Sequence, residues 1–372
     1  MHKLTFYPLG NAETLLVDLD NGRKVLVDYA NKREPDNRYD LRCDLPNLLK
    51  DDMKAADRDY YDAVAFTHLD DDHVHGASEF FWLQHAEKYQ DKDRFKISEM
   101  WVPAAAIVEK RLDGDSLIIR AEARHRLRQG KGIRVFSAPT TLSQWFEEEG
   151  LDLADYCKRG IVLDAGKTVP TFTLANDDAE FFIHSPFASR TEDGSVHVRN
   201  IDAIVMQAVF QLGGTTTRAL ITADIPYEQF DEIVRVTKQH KHEERLKWDI
   251  MDVSHHCSYL AIGPEKGKTK TEPTENVKWL FEQGQSEGHL VSSSVIIPTQ
   301  DTDQPPHVQA ANYYRQVAAD IDGEFNVTME YPKKTAPAPL VIEIGSGGAT
   351  LKRDAVVTVG GGITSQPAHR VG

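Results

Sequence analysis

The chain has 372 residues, 40% hydrophobic and 27% charged, which is the composition of an ordinary globular protein with one large domain or two smaller ones. Its formal net charge of -15 argues against a general nucleic-acid binder, because phosphate backbones require clustered lysine and arginine. Three cysteines, none in a CxxC pair, predict neither a disulfide framework nor a thiolate zinc site.

Membrane and export signals are not recognisable in the sequence. No window approaches the roughly 18 consecutive apolar residues of a membrane span. The opening segment, MHKLTFYPLG, lacks the charged and then apolar order of a signal peptide. We therefore expect a cytoplasmic protein with no membrane partner.

The first half of the chain alternates apolar and polar segments. Strands are predicted for LTFYPL, ETLLVDL, KVLVDYA and YDAVAF, and Asp20-Asn21-Gly22 predicts a hairpin between the second and third. The segment GASEFFWLQHAEKY predicts an amphipathic helix. A strand is predicted for ISEMWVPAA, followed by a polar, helical stretch to about residue 155.

The second half repeats this organisation. Strands are predicted for TFTLANDDAEFFIHSP, IDAIVMQAVF, TRALITAD, WDIMDV and VSSSVIIPTQ, and helices for YEQFDEIVRVTKQH and HVQAANYYRQVAAD. We expect one domain over residues 1–334, with an insertion at about 85–165. Residues 335–372 are expected to form a C-terminal hairpin, PLVIEIGSGGATLKR, and a flexible glycine-rich tail.

A dense cluster of histidine and aspartate follows the fourth predicted strand, in FTHLDDDHVHG. His68, Asp70, Asp72 and His73 have the spacing H-x-D-x-D-H. A turn at a strand end can direct His68 and Asp70 toward one metal ion, and Asp72 and His73 toward a second. Two such ions activate a bridging hydroxide and stabilise an oxyanion. His75 lies in the same turn but off this spacing, so at most it is expected to contact a ligand. The alternative for the whole segment is a solvated acidic loop.

Two later strand ends offer partners for this cluster. Asp224 ends the apolar strand ALITAD, where a buried carboxylate needs a cation. His255 and His256 follow another predicted strand, in DVSHHCS. We favour His255 as the metal ligand and His256 as a proton donor or substrate contact, and the reverse order remains open.

Taken together, THLDDDHVHG, LITAD and DVSHHCS resemble the metallo-β-lactamase fold superfamily. The nearest branch is the hydrolase domain of ComEC-type DNA-uptake competence proteins. GNAETLLVDLDNGRKVLVDYAN resembles the first hairpin of that family, which ends in a structural aspartate, here Asp28. The resemblance implies an α/β fold, the αββα sandwich, in which two mixed β-sheets pack face to face with helices outside.

The resemblance also implies further site residues. The third ligand of the first ion is expected from His184, His197 or Asn200, with His184 favoured, and the alternative is that no third protein ligand exists. His307, in QPPHVQ, resembles a late histidine that faces the cleft and transfers protons or contacts substrate; a plain surface histidine is the alternative.

Two family glycines are replaced in this chain. Ala223 and Cys257 stand at those positions, and Cys257 is either a thiolate ligand or a small buried residue.

The ligand types bear on the metal, and basic residues bear on the substrate. Zinc accepts histidine and aspartate and ranks first, while the carboxylate of Asp70 makes manganese the alternative. An anionic substrate is suggested by an arginine row at helical spacing and by a lysine-rich loop near the second histidine turn. These residues are Arg120, Arg124 and Arg128, and Lys266, Lys268 and Lys270.

The sequence therefore predicts a hydrolase with two divalent ions that cleaves a phosphodiester, in nucleic acid or in a smaller molecule. Asp72 is the predicted catalytic aspartate, and His256 or His307 would assist the leaving group. One alternative is a carbonyl hydrolase acting on a lactone, thioester or amide. Another is a non-catalytic regulatory or binding member of the same fold. Protein partners cannot be inferred from the sequence.

Overall fold

Two β-sheets face each other in the middle of the molecule, and helices cover their outer surfaces. The computed structural model describes residues 1–188 and 199–353. The strands of these residues are β1 (His2–Phe6), β2 (Leu15–Asp18), β3 (Lys24–Val27), β4 (Tyr60–Ala65), β5 (Lys96–Pro103), β6 (Ile133–Phe136), β7 (Val162–Leu163), β8 (Ala179–Ser185), β9 (Val205–Leu212), β10 (Thr215–Ile221), β11 (Trp248–Asp252), β12 (Gly284–Ser292), β13 (Glu324–Val327), β14 (Leu340–Gly345) and β15 (Gly348–Leu351).

The helices lie mainly between the strands of each sheet. They are α1 (Leu45–Ala55), α2 (Asp71–Val74), α3 (Ala77–Phe80), α4 (Ala104–Val108), α5 (Gly114–Gln129), α6 (Thr140–Glu148), α7 (Leu153–Lys158), α8 (Leu174–Asp177), α9 (Tyr227–Gln239), α10 (Glu275–Phe281) and α11 (Val308–Asp320). No helix in the two described ranges is both long enough and apolar enough to cross a membrane.

Both sheets are mixed. The first has the order β15-β14-β1-β2-β3-β4-β5-β6-β7, and the second has the order β13-β12-β11-β10-β9-β8. Strands β3 to β7 run parallel, as do β10 to β13, whereas the remaining neighbours pair antiparallel. Each parallel set therefore delivers the residues after its strands to one edge of its sheet.

Three apolar layers separate the four layers of secondary structure. Between the sheets, Trp101 packs edge-on against Phe136 and Phe181. The outer face of the first sheet is covered by α1 and α5, and that of the second by α9, α10 and α11. The predicted αββα sandwich is confirmed, because each sheet buries one face against its partner and the other against helices.

Three predicted elements are wrong in extent. The strand predicted for TFTLANDDAEFFIHSP contains the short helix α8, and only its second half forms a strand, β8. The helix predicted to begin at Gly76 stops at Phe80, because Phe81 is extended and forms a β-bridge with Phe95. Trp82 also donates its backbone N–H to the Phe95 carbonyl. The strand predicted for VSSSVIIPTQ ends at Ser292 and begins earlier, at Gly284.

Residues 85–165 and the C-terminal hairpin both extend the first sheet. Residues 85–165 contain β5, β6 and β7, which continue the sheet beyond β4. In the predicted hairpin, β14 pairs with β1 from His2 to Phe6. This hairpin is therefore a structural part of the domain, and the tail after residue 353 lies outside the described residues.

Candidate metal centre

Strand ends from both sheets converge on one group of four side chains. Asp72 and His73 lie on the short helix after β4, Asp224 follows β10, and His256 follows β11. Their ligand atoms all lie within 4.8 Å of one another. This meeting of the acidic turn with Asp224 and the second histidine turn is the contact that the sequence predicted.

The spacing within this group suits a small divalent cation. Nε2 of His256 lies 3.3 Å from Oδ2 of Asp72 and 3.4 Å from Oδ2 of Asp224. Nε2 of His73 lies 3.4 Å from Oδ1 of Asp224. Tetrahedral ligands at a zinc–ligand distance of about 2.1 Å are about 3.4 Å apart. Nε2 of His73 and Oδ1 of Asp224 are buried and make no hydrogen bond within the described part of the chain. The donor set therefore fits a divalent ion.

His73 is oriented by the structural aspartate. Its Nδ1 donates to Oδ2 of Asp28 at 2.7 Å, which leaves the Nε2 lone pair directed into the group. Asp28 also accepts hydrogen bonds from the backbone N–H and the hydroxyl of Thr67, at 2.7 and 2.6 Å. All three residues are fully buried, so this carboxylate fixes both the tautomer and the position of the ring.

His256, rather than His255, joins the group. The Nδ1 of His256 donates to the Ser293 carbonyl at 2.7 Å, so its Nε2 is free to ligate. Its side chain is 3% exposed, whereas that of His255 is 26% exposed and its Nε2 lies 4.0 Å from Asp224. The sequence favoured His255 as the ligand. The structure instead places His256 in the group and His255 beside it.

The backbone of the second histidine turn explains this exchange. His255, His256 and Cys257 have φ values of 52°, 52° and 65°, all in the left-handed region. Such a run turns consecutive side chains in directions that neither a helix nor a strand allows. Ala223 is also left-handed, with φ of 49°. Ala223 and Cys257, for which the resemblance predicted glycine, thus stand at left-handed positions, where glycine is the least strained residue.

His68 and Asp70 form the neighbouring half of the centre. Nε2 of His68 lies 3.5 Å from Oδ2 of Asp70, and the His68 and His73 rings are 4.0 Å apart. Asp70 is also ion-paired with Arg199, whose guanidinium makes a bidentate contact with Glu109. Sequence reasoning missed Arg199 because no motif links it to the acidic turn.

The electrostatics of the group favour positive charge at its centre. Burial opposes ionisation of Asp224, yet the neighbouring His256 and His73 lower the pKa of its carboxyl well below the ordinary value. Burial also opposes protonation of His73, yet Asp224 and Asp28 raise its pKa. The pKa of Asp72 is lowered despite burial, through His256 and His73. A divalent cation would satisfy both carboxylates without protonating the imidazoles.

A second carboxyl pair lies beneath the centre. Burial raises the pKa of Asp252 to about 7, and burial together with Asp252 raises that of Glu13. The Glu13 backbone N–H donates to the Asp72 carbonyl at 3.0 Å, which connects this pair to the acidic turn. Burial thus disfavours ionisation of both carboxyls. The signal for Glu13 was a carboxylate directly before an apolar strand, in NAETLLV.

His184, the favoured candidate for the third ligand, is not among the residues brought to this group. The Nε2 of His184 lies 3.0 Å from the Arg245 carbonyl, and its ring packs against Phe182. His184 lines a separate cavity of about 380 Å³ with His240 and His242. Burial lowers its pKa to about 4. Asn200 lies half-buried in a turn, and His197 falls outside the described residues.

His307 is a buried residue rather than a surface one. Its Nδ1 accepts the Tyr259 backbone N–H at 3.3 Å, and burial lowers its pKa. Its backbone N–H donates to the Cys257 carbonyl at 3.0 Å, so His307 supports the second histidine turn from behind.

The predicted basic residues are largely paired within the protein. Arg120 and Arg124 donate to the backbone carbonyls of Glu109 and Ile107, and Arg128 forms a bidentate pair with Glu149. Lys266 pairs with Asp301, and Lys270 with Glu272. Lys268 is exposed. The contacts of the three arginines thus join parts of the segment of residues 85–165 to one another.

Cys257 belongs to the apolar layer behind the centre. It is fully buried, and burial raises the pKa of its thiol, which disfavours a thiolate ligand. Cys43 is half-buried, with a pKa raised by burial to about 12, while Cys157 is exposed.

Thiol labelling of the native chain should therefore be selective. We expect a thiol reagent to modify one cysteine rapidly, Cys157, and all three after denaturation. The Cys157→Ser variant should have no fast-reacting thiol. Rapid labelling of Cys257 in the native chain would contradict its placement in the core.

No family model matches this chain, and no curated protein matches it. Solved structures similar to it include a diphosphatase of the PhnP family, with 11% identity and a TM-score of 0.35, covering 95% of this chain and 100% of the other. The metallo-β-lactamase GOB-18 from Elizabethkingia meningoseptica has 13% identity and a TM-score of 0.30, covering 75% of this chain and 87% of the other.

Proposed function

We propose that the protein is a metal-dependent hydrolase and that its substrate is a small phosphodiester. The observation that carries this proposal is the buried group of Asp72, His73, Asp224 and His256, with two imidazole Nε2 atoms free and aimed at two carboxylates. A divalent ion held there would polarise a substrate oxygen and lower the pKa of a bound water.

The residues around this group prepare it for hydrolysis. Asp28 and the Ser293 carbonyl hold the protons of His73 and His256 on Nδ1, so neither ring needs to change tautomer to ligate. Asp72 is the most exposed of the four, with 30% of its side chain accessible, so substrate approaches from its side. His255 is half-buried, and burial lowers the pKa of its imidazole, which keeps the ring neutral. It lies on the same open side of the group as Asp72 and is placed to exchange a proton with the leaving group.

Charge supports a phosphate ester over a carbonyl substrate. Arg199 places a permanent positive charge beside Asp70, at the edge of the centre. A small molecule is favoured over nucleic acid, because the arginines and lysines predicted to guide a phosphate chain, apart from Lys268, are paired with neighbouring residues. The net charge of -15 also opposes a long polyanion.

A substrate panel tests the proposal. Bis-p-nitrophenyl phosphate, single-stranded DNA, a lactone and a thioester are each incubated with the purified chain and zinc or manganese. We expect bis-p-nitrophenyl phosphate to be hydrolysed, and the Asp72→Ala variant to lose that activity by about 1,000-fold or more. Metal content of the variant is measured in parallel, and circular dichroism checks that the fold is retained.

The other outcomes of the panel are equally informative. Turnover of the lactone or thioester with intact phosphodiesters would assign the centre to carbonyl chemistry. Cleavage of DNA as fast as the small ester would restore the nuclease prediction. Binding of metal with no turnover on any substrate would identify a non-catalytic member of the fold.

A further inference from the structure

The two halves of the centre differ in what neutralises their carboxylates. Asp72 and Asp224 face the imidazoles of His73 and His256. Asp70, in the other half, already faces a permanent cation, because Nη1 of Arg199 donates to its Oδ1. We propose that the centre holds a single divalent ion, in the first half, and that Arg199 supplies beside it the second positive charge, which binds a phosphoryl oxygen of the substrate.

The donor count supports one ion. Within residues 1–188 and 199–353, the only group of three or more histidine, cysteine, aspartate or glutamate side chains that could hold one ion is Asp72, His73, Asp224 and His256. His68 and Asp70 provide just two donors, and one oxygen of Asp70 is occupied by Arg199. Zinc sites require three or four protein ligands. A second ion at His68 would also be repelled by the guanidinium.

Arg199 is anchored so that it cannot easily move aside. Its Nε and Nη2 contact the carboxylate of Glu109 at distances from 2.8 to 3.1 Å, and Nη2 also contacts the Arg111 carbonyl. The side chain of Glu109 is 11% exposed, so departure of Arg199 would leave a largely buried carboxylate unpaired. The cation is therefore a fixed part of the site.

One donor of Arg199 remains for a ligand. A guanidinium carries five N–H groups. Its contacts with the described residues use the Nε hydrogen, both Nη2 hydrogens and one Nη1 hydrogen. The remaining hydrogen is on Nη1. This nitrogen contacts Asp70 and therefore faces the centre. This assignment rests on the proposed function only in the choice of a phosphoryl group as the anion.

Metal stoichiometry is the first test. The purified full chain is stripped with a chelator, titrated with zinc in a calorimeter, and then desalted for elemental analysis. We expect one tightly bound ion per chain, and the same value for His197→Ala. Two ions per chain in the parent would overturn the inference, and a fall from two to one in His197→Ala would identify His197 as the missing ligand.

Anion binding is the second test. Inorganic phosphate is titrated into the metal-loaded, desalted chain and into Arg199→Gln and Arg199→Lys. Loss of a charged hydrogen bond should weaken phosphate binding about ten- to a hundred-fold in Arg199→Gln, with partial recovery in Arg199→Lys and unchanged metal content. Equal phosphate affinity in the parent and Arg199→Gln would show that Arg199 has only a structural role.

Arg23→Gln is the matched control for phosphate binding. Arg23 is 27% exposed, against 28% for Arg199, and it also pairs with two carboxylates, those of Asp62 and Asp177. Arg23 precedes β3 and Asp28 follows it, so Arg23 lies at the opposite end of the sheet from the centre. The phosphate affinity of Arg23→Gln should therefore match that of the parent. Both tests are read without turnover, so failure of the proposed hydrolysis would leave their outcome intact.

Discussion

Replacement of Asp224 by alanine is expected to remove the bound metal ion and, with it, all hydrolysis. Asp224 is the one residue of the group that contacts both imidazoles, through Oδ1 to His73 and Oδ2 to His256, each at 3.4 Å. Changes to residues that only orient metal ligands already weaken metal binding about 10- to 100-fold. Loss of this central carboxylate should therefore lower the metal affinity by more than about 100-fold.

Two measurements check this expectation. Elemental analysis after dialysis should find the ion in the parent and not in Asp224→Ala. Zinc should raise the melting temperature of the parent, since saturation at 100 times the dissociation constant adds about 2.7 kcal/mol to the free energy of unfolding. The same addition should leave the melting temperature of Asp224→Ala unchanged.

Asp249→Ala provides the control for Asp224. Asp249 lies on the neighbouring strand β11, near its start, and accepts the Arg218 backbone N–H at 2.7 Å. It is thus a partly buried carboxylate on the same sheet, away from the strand end that carries His256. Asp249→Ala should keep its metal. Full metal content in Asp224→Ala would mean that the ion binds elsewhere in the chain.

The meeting of the motifs could be predicted because strands constrain where polar residues emerge. Asp72, Asp224 and His256 each follow an apolar segment, and a buried strand can expose polar side chains only where it ends. Parallel neighbours such as β3 and β4, or β10 and β11, place their ends at one edge. The position of each motif at a strand end therefore predicts where the site lies, without knowledge of how the strands pair.

The choice between His255 and His256 could not be predicted in the same way. Adjacent residues share every sequence pattern, and the choice depends on three consecutive left-handed residues, none of which is glycine. Nothing in the letters HHC predicts that conformation, because left-handed φ is uncommon for such residues. Tertiary contacts, including the hydrogen bond from His307 to the Cys257 carbonyl, hold it in place.

Two further features could not be predicted because they depend on residues far apart in the sequence. These are the pairing of Arg199 and the structure of the segment after Gly76. Arg199 pairs with Asp70 across 129 positions, and no local pattern records that contact. The segment after Gly76 has helical periodicity, yet Phe81 pairs with Phe95 and packs on Tyr61. Burial of aromatic side chains against a sheet outweighed the local preference.

Replacement of Asp28 by asparagine should weaken metal binding without touching a metal ligand. Asp28 accepts three hydrogen bonds, two from Thr67 and one from Nδ1 of His73. An asparagine can accept at only one atom, and its amide would donate to Nδ1 of His73. The proton of His73 would then move to Nε2, which can no longer ligate. We expect metal affinity to fall about 10- to 100-fold, and the free energy of unfolding to fall by about 1–3 kcal/mol.

Asp177→Asn separates the tautomer effect from simple destabilisation. Asp177 is buried and accepts hydrogen bonds from Asn21, Arg23 and the Thr173 backbone N–H, each at 2.9 Å. It lies before β8, at the far end of the second sheet, so its replacement should cost similar stability and leave metal affinity unchanged. If calorimetric titration gave Asp28→Asn and Asp177→Asn the same zinc affinity, the carboxylate of Asp28 would serve the fold alone. A selective loss in Asp28→Asn would show that the buried carboxylate prepares His73 for the metal ion.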